Sequence, residues 1–146
     1  MTSGHRNTDP RGFAIGGLNH LGLVVDDIAA ARRWFVDTLG LKVLEDRGEL
    51  LFIMAGRDVL AVKTPAMAVA KPEHGGEATG SSRAGYQSLD HYGFYASTPA
   101  EVDAFARHVE THGAKLLKGP YDRSDGRSVY FKDPLGLVGE FLYFNP

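Results

Sequence analysis

The chain repeats itself, and that repetition limits what it can fold into more than any other feature. Asn19-His20-Leu21-Gly22-Leu23-Val24-Val25-Asp26 and Asp90-His91-Tyr92-Gly93-Phe94-Tyr95-Ala96-Ser97 share one pattern: a polar residue, His-x-Gly, then a strand-like apolar run. A helix signal follows each. Asp26 or Asp27 can cap a helix carrying Ile28, Ala31, Trp34, Phe35 and Leu39, closed by Gly40. Thr98-Pro99-Ala100-Glu101 reads as a capping box with proline at the first helical position. Val102, Phe105 and Val109 then form its apolar stripe, and Gly113 ends it. Strands come next, at Leu41-Lys42-Val43-Leu44 and Ala114-Lys115-Leu116-Leu117. Two more close each half: Leu50–Met54 and Val59–Lys63, then Ser128–Phe131 and Leu137–Phe144. His20 and His91 are 71 residues apart, and Gly40 and Gly113 are 73 apart. The expected fold class is α+β, built from two strand–helix–strand–strand–strand modules. The expected organisation is a tail over 1–15 and a single domain over 16–146. Within it, module one covers about 18–64, a linker or lid loop 65–87, and module two about 88–144.

Strand alternation assigns faces. His20, Gly22 and Val24 share one face of the first strand, and Leu21, Leu23 and Val25 the other. His91, Gly93 and Tyr95 oppose Tyr92, Phe94 and Ala96 in the same way. The apolar sets suit the helices, so both histidines are expected on the opposite, concave side. The last strand puts Glu140, Leu142 and Phe144 on one face. If the halves pack by pseudo-twofold symmetry, His20, His91 and Glu140 can converge as a facial two-histidine, one-carboxylate metal set with open positions. Gly22 and Gly93 would leave space beside it. The chain has no cysteine, so any metal must bind through His, Asp or Glu. That composition suits a reducing cytoplasm. The net charge of −2 provides no basic field for nucleic acid or anionic lipid, and no apolar run approaches the roughly 20 residues of a membrane span.

The motifs Asn19-His20-Leu21-Gly22, Leu89-Asp90-His91-Tyr92-Gly93 and Ser128-Val129-Tyr130-Phe131-Lys132-Asp133-Pro134-Leu135-Gly136-Leu137-Val138-Gly139-Glu140 resemble the vicinal oxygen chelate superfamily. That superfamily includes glyoxalases, fosfomycin-modifying enzymes, extradiol dioxygenases and bleomycin-resistance proteins. The resemblance runs from about Leu18 to Phe144. It implies paired βαβββ modules in a half-open β-barrel around a metal, a homodimer, and one divalent ion per chain (Fe, Mn, Zn, Ni or Co) at His20, His91 and Glu140. Tyr130 lies ten residues before Glu140, as the active-site tyrosine does in the dioxygenase pattern. The histidine that this pattern carries upstream is missing from Tyr121-Asp122-Arg123-Ser124. The fourth ligand of glyoxalase-type sites is missing from Val59-Leu60-Ala61-Val62.

The resemblance implies a metal-dependent enzyme that takes a small oxygenated molecule through two neighbouring oxygens, as isomerase, lyase, dioxygenase or conjugating transferase. The alternative is a metal-free binding protein of the bleomycin-resistance type. Tyr130 is the first candidate for a hydrogen-bond donor or general acid. His74, in the long loop, is a second if that loop closes. Ser128, Tyr95, Val24, Leu142 and Phe144 are expected around the substrate, with Phe52 and Met54 as further wall. Arg127 alternates to the other face. His108 and His112, at i and i+4, are expected on the solvent flank of their helix, and His5 in the tail.

Overall fold

A computed structural model describes residues 18–70 and 91–146, together with Pro10 and Leu89. Each half folds as the repeat predicts. The first half has β1 (His20–Val24), α1 (Ile28–Arg32), β2 (Lys42–Asp46), β3 (Leu50–Ala55) and β4 (Asp58–Lys63). The second has β5 (Tyr92–Tyr95), α3 (Pro99–Glu110), β6 (Lys115–Arg123), β7 (Gly126–Lys132) and β8 (Val138–Phe144). The strand orders are β1-β4-β3-β2 and β5-β8-β7-β6, so each half is a separate, open four-stranded sheet. β1 runs parallel to β4, β5 runs parallel to β8, and the remaining pairs are antiparallel.

Local chemistry sets the helix starts. Asp27 Oδ1 accepts from the Ala30 amide at 3.0 Å, so Asp27 rather than Asp26 is the cap. Thr98 Oγ1 accepts from the Glu101 amide at 3.2 Å, with Pro99 in the first turn. α1 then widens into a π-helical stretch, Arg33–Thr38, in which the Leu39 amide donates to Trp34 O five residues back at 3.0 Å. The adjacent Trp34 and Phe35 in this wider turn are both fully buried.

Two segments differ from the sequence expectation. Pro65–Ala70, read as the start of the linker, forms a short helix, α2. Thr64 caps it through Oγ1, and three of its six residues are alanine, the strongest helix former. Residues 71–87 of that linker lie outside the described residues, as do His5 and nearly all of the tail. β6 runs to Arg123 instead of stopping at Leu117. Register shifts on either side of Lys118 absorb Gly119 and Pro120 without ending the pairing with β7. Gly119 is required there. Its φ is +86°, and an added Cβ would sit 2.8 Å from Ser128 O.

The main core spans both modules, and Ala96, Val102, Ala106 and Val129 form a second, smaller cluster in module two. The main core includes Leu23, Val25, Trp34, Phe35, Leu51, Ile53 and Val62 from module one, and Tyr92, Val109, Ala114 and Phe131 from module two. Trp34 packs 5.9 Å from Phe131, and Phe35 packs 5.9 Å from Tyr92. Full burial of such side chains contributes about 1.5–3 kcal/mol each. A buried polar chain crosses the junction. Trp34 Nε1 donates to Tyr92 Oη at 3.1 Å, and Tyr92 Oη donates to Asp133 Oδ2 at 2.8 Å. Asp133 Oδ1 accepts from the Leu135 and Leu137 amides at 2.9 Å each. The Asp133-Pro134-Leu135-Gly136 turn therefore helps join the modules. Burial raises the Tyr92 hydroxyl pKa far above its ordinary value, and also raises that of Asp133.

Candidate metal and ligand site

The alternation read from the sequence holds. Leu23 and Val25 are buried, while His20, Gly22 and Val24 face outward; Tyr92 and Ala96 are buried, while His91, Gly93 and Tyr95 face outward. Register then assembles the polar groups of module two. Gly93 and Tyr130 both pair with Glu140, Ser128 pairs with Leu142 and Tyr121, and Arg123 pairs with Gly126. Paired residues point to the same side of a sheet, so these groups share the outer face.

Glu140 is the centre of this cluster and is only 5% exposed. Its Oε2 lies 3.4 Å from His91 Nε2. Its Oε1 accepts from Arg123 Nη1 at 3.1 Å and from Ser128 Oγ at 2.5 Å. The Tyr130 ring stands edge-on to His91 at 5.4 Å. The Tyr130 hydroxyl pKa is raised, first by burial and then by the neighbouring Glu140 carboxylate. Arg123 also pairs with Asp125 through Nε at 2.8 Å and Nη2 at 3.1 Å, and this pairing, ahead of the nearby Glu140 charge, raises its pKa.

The other expected residues fall into three groups. His20 lines a cavity of about 600 Å³ that opens between the edge strands β1 and β5. His91, Gly93 and Tyr95 share its rim, and Leu21, Leu39, Leu41, Phe94, Phe105 and Phe141 form its apolar interior. Among the described residues, however, no three His, Asp or Glu side chains are grouped so as to hold an ion. Within one chain, His91 and Glu140 come together and His20 does not join them. Val24, Tyr95 and Phe144 are exposed at 53%, 82% and 43%. Phe144 lies 6.2 Å from Tyr95, and Leu142 is half-buried beside Gly93. His74 lies outside the described residues.

Arg127 faces away from the cluster, as alternation predicts, and is held by Asp103 at 2.8 Å and Asp122 at 2.7 Å. His108 and His112 lie exposed on α3, where His108 Nε2 bonds Thr38 O at 2.8 Å and His112 Nδ1 bonds His108 O at 2.7 Å. Arg123 is the residue that sequence reading missed. Its signal was the alternation of Tyr121 and Arg123, which becomes readable only if β6 continues past Gly119-Pro120.

Paired βαβββ modules with a histidine and a glutamate on an outer sheet face define a class of fold and site. The chain belongs to the Glyoxalase/Bleomycin resistance protein/Dioxygenase superfamily, which it matches over residues 17–141. Among solved structures it is similar to a lactoylglutathione lyase from Agrobacterium tumefaciens. The TM-score is 0.69 and the identity 26%, over 89% of this chain and 95% of that one. A glyoxalase-related enzyme from Fulvimarina pelagi gives a TM-score of 0.70 and 20% identity, over 88% of each chain. The genomically encoded fosfomycin resistance protein FosX from Listeria monocytogenes gives 0.65 and 17%, over 90% of this chain and 94% of that one. The last two are similar in fold. No curated protein matches the chain significantly. Among the described residues no helix is long and apolar enough to cross a membrane.

Proposed function

We propose that the protein is a metal-dependent enzyme that binds a small oxygenated molecule by bidentate chelation to one divalent ion. His91 and Glu140 of one chain would hold the ion with His20 of a second copy. The observation that carries this reading is the His91–Glu140 pair, an imidazole nitrogen and a carboxylate oxygen 3.4 Å apart on an outer sheet face. A nitrogen and oxygen donor set of this kind fits a borderline divalent cation such as Fe, Mn, Zn, Ni or Co. An ion bound there would supply Lewis acidity to the ligand's oxygens.

The chain's own groups supply the rest. The Tyr130 hydroxyl, beside Glu140 and His91, is the candidate hydrogen-bond donor to the ligand's polar end. The apolar interior of the cavity between β1 and β5 would take a hydrophobic body. Support for a homodimer comes from the same outer faces, which leave Val24, Tyr95 and Phe144 exposed on both sheets beside the candidate ligands. A second copy would cover that apolar surface and bring His20 to the pair.

The test is elemental analysis of untagged protein purified without chelators, combined with co-expression of two defective chains. Wild type should carry about one ion per chain, as an open three-ligand site would. His20→Ala and Glu140→Ala should each be empty alone. If the ligands come from different chains, a mixed dimer of the two variants rebuilds one intact site and recovers metal. Failure to recover it would place all three ligands within one chain. A wild-type protein that stayed empty after reconstitution with Fe, Mn, Zn and Ni would leave a metal-free binding protein as the better account of the cavity.

A further inference from the structure

The two oxygens of Glu140 are not equivalent. Oε1 takes both Arg123 Nη1, at 3.1 Å, and Ser128 Oγ, at 2.5 Å, whereas Oε2 faces His91 Nε2 at 3.4 Å. Arg123 is braced in turn. Its Nε and Nη2 fork onto Asp125, and its guanidinium lies 5.4 Å from the Phe144 ring. Asp125 is fixed by the chain, because its carbonyl accepts from the Asn145 amide at 2.8 Å. The turn after β6, the end of β8 and the carboxylate are thus linked through one guanidinium.

We propose that Arg123 and Ser128 are positioning residues that occupy Oε1 of Glu140 and reserve Oε2, beside His91, as the single oxygen offered to the divalent ion. This rests on the metal-site reading above and adds to it the mode of ligation and the groups that impose it. A cation beside a metal ligand would normally repel the metal. Here Asp125 balances the Arg123 charge, so the pair orients the carboxylate at little electrostatic cost. Outer-shell groups that orient a ligand typically account for 10–100-fold in metal affinity.

The sign of the effect separates positioning from simple charge. If Arg123 only competed with the ion for Glu140, Arg123→Ala would tighten metal binding. If it positions the carboxylate, Arg123→Ala weakens binding on the order of tenfold or more despite the removal of a positive charge. The measurement is Co(II) titration of the purified full-length protein, read by visible absorption. The expected order of affinity is wild type, then Ser128→Ala and Arg123→Lys, then Arg123→Ala. The Co(II) spectrum of Arg123→Ala should also change, because Ser128 alone then restrains Oε1 and the carboxylate can turn on the ion, and Arg123→Lys should restore part of the wild-type spectrum. Arg127→Ala, which removes the same charge from the opposite face of the same sheet, should leave both affinity and spectrum unchanged. Should Arg123→Ala fail to fold by circular dichroism, Ser128→Ala and Arg123→Lys carry the test. Binding in Arg123→Ala as tight as wild type, with Glu140→Ala empty, would overturn this inference and leave the metal site standing. A wild type that binds no Co(II) would overturn both.

Discussion

Placing the two modules on each other, position by position, shows where the chemistry went. In module one Gly22 pairs with Ala61, and Ala61 pairs with Phe52. In module two Gly93 pairs with Glu140, and Glu140 pairs with Tyr130. Ala61 therefore occupies the place of Glu140, Phe52 that of Tyr130, and Val24 that of Tyr95. Leu50, which pairs with Lys63, occupies the place of Ser128, which pairs with Leu142. Both copies keep the histidine and the glycine two residues on. Only the second keeps a carboxylate and the hydroxyl and guanidinium groups that hold it. The scaffold is present twice, while the positions that hold Glu140, Tyr130 and Ser128 in one half are filled by the apolar Ala61, Phe52 and Leu50 in the other.

The largest expected effect tests that asymmetry directly. Glu140→Ala should empty the protein of metal in elemental analysis, whereas Ala61→Ser at the matching position should leave the content of about one ion per chain unchanged. Equal loss from both would break the comparison. Next comes the shared core. Trp34→Ala should cost about 3–5 kcal/mol in urea denaturation, and both modules should still melt in a single transition. Two separated transitions would mean that the modules fold as independent units. Tyr92→Phe removes the hydroxyl between Trp34 and Asp133 and leaves buried partners unsatisfied, a loss of about 1–3 kcal/mol in the same assay.

The smallest effect is a pH dependence. Burial raises the Asp133 pKa above its ordinary 3.8, against the hydrogen bonds from Leu137, Tyr92, Leu135 and Gly136 that lower it. A carboxyl whose folded pKa lies above its unfolded value favours the folded state most when protonated. Its contribution is full below 3.8 and fades as pH rises through the raised folded value. The stability of wild type relative to Asp133→Asn should therefore fall as pH rises across that window. A difference that stays flat with pH would show that the group does not titrate differently on folding.

Most of the fold was legible because its signals are local or periodic. The duplication gave the two modules, alternation placed Leu23, Val25 and Tyr92 inside, and the Thr98 capping box began α3 at Pro99. What escaped was non-local. Gly119-Pro120 carry strong turn signals, yet pairing with β7 overrides them and carries β6 on to Arg123. The widened turn after Arg32 has no periodic signature in the sequence. Of the candidate site, the His91–Glu140 pair followed from strand register. That His20 does not join the pair within one chain depends on how the modules pack, which no spacing along the sequence encodes. The outer brace of Glu140 was hidden because Arg123 lay beyond the expected end of its strand.

Trp34 is the only tryptophan in the chain, and it belongs to module one while its indole hydrogen-bonds a tyrosine of module two. Its fluorescence therefore reports on a junction instead of a single half. Intrinsic emission during refolding should lag behind any probe of strand formation within either module, because the indole reaches its dry, hydrogen-bonded setting only when the halves dock. The molecule thus contains an optical marker for the docking of its two halves, with no label added.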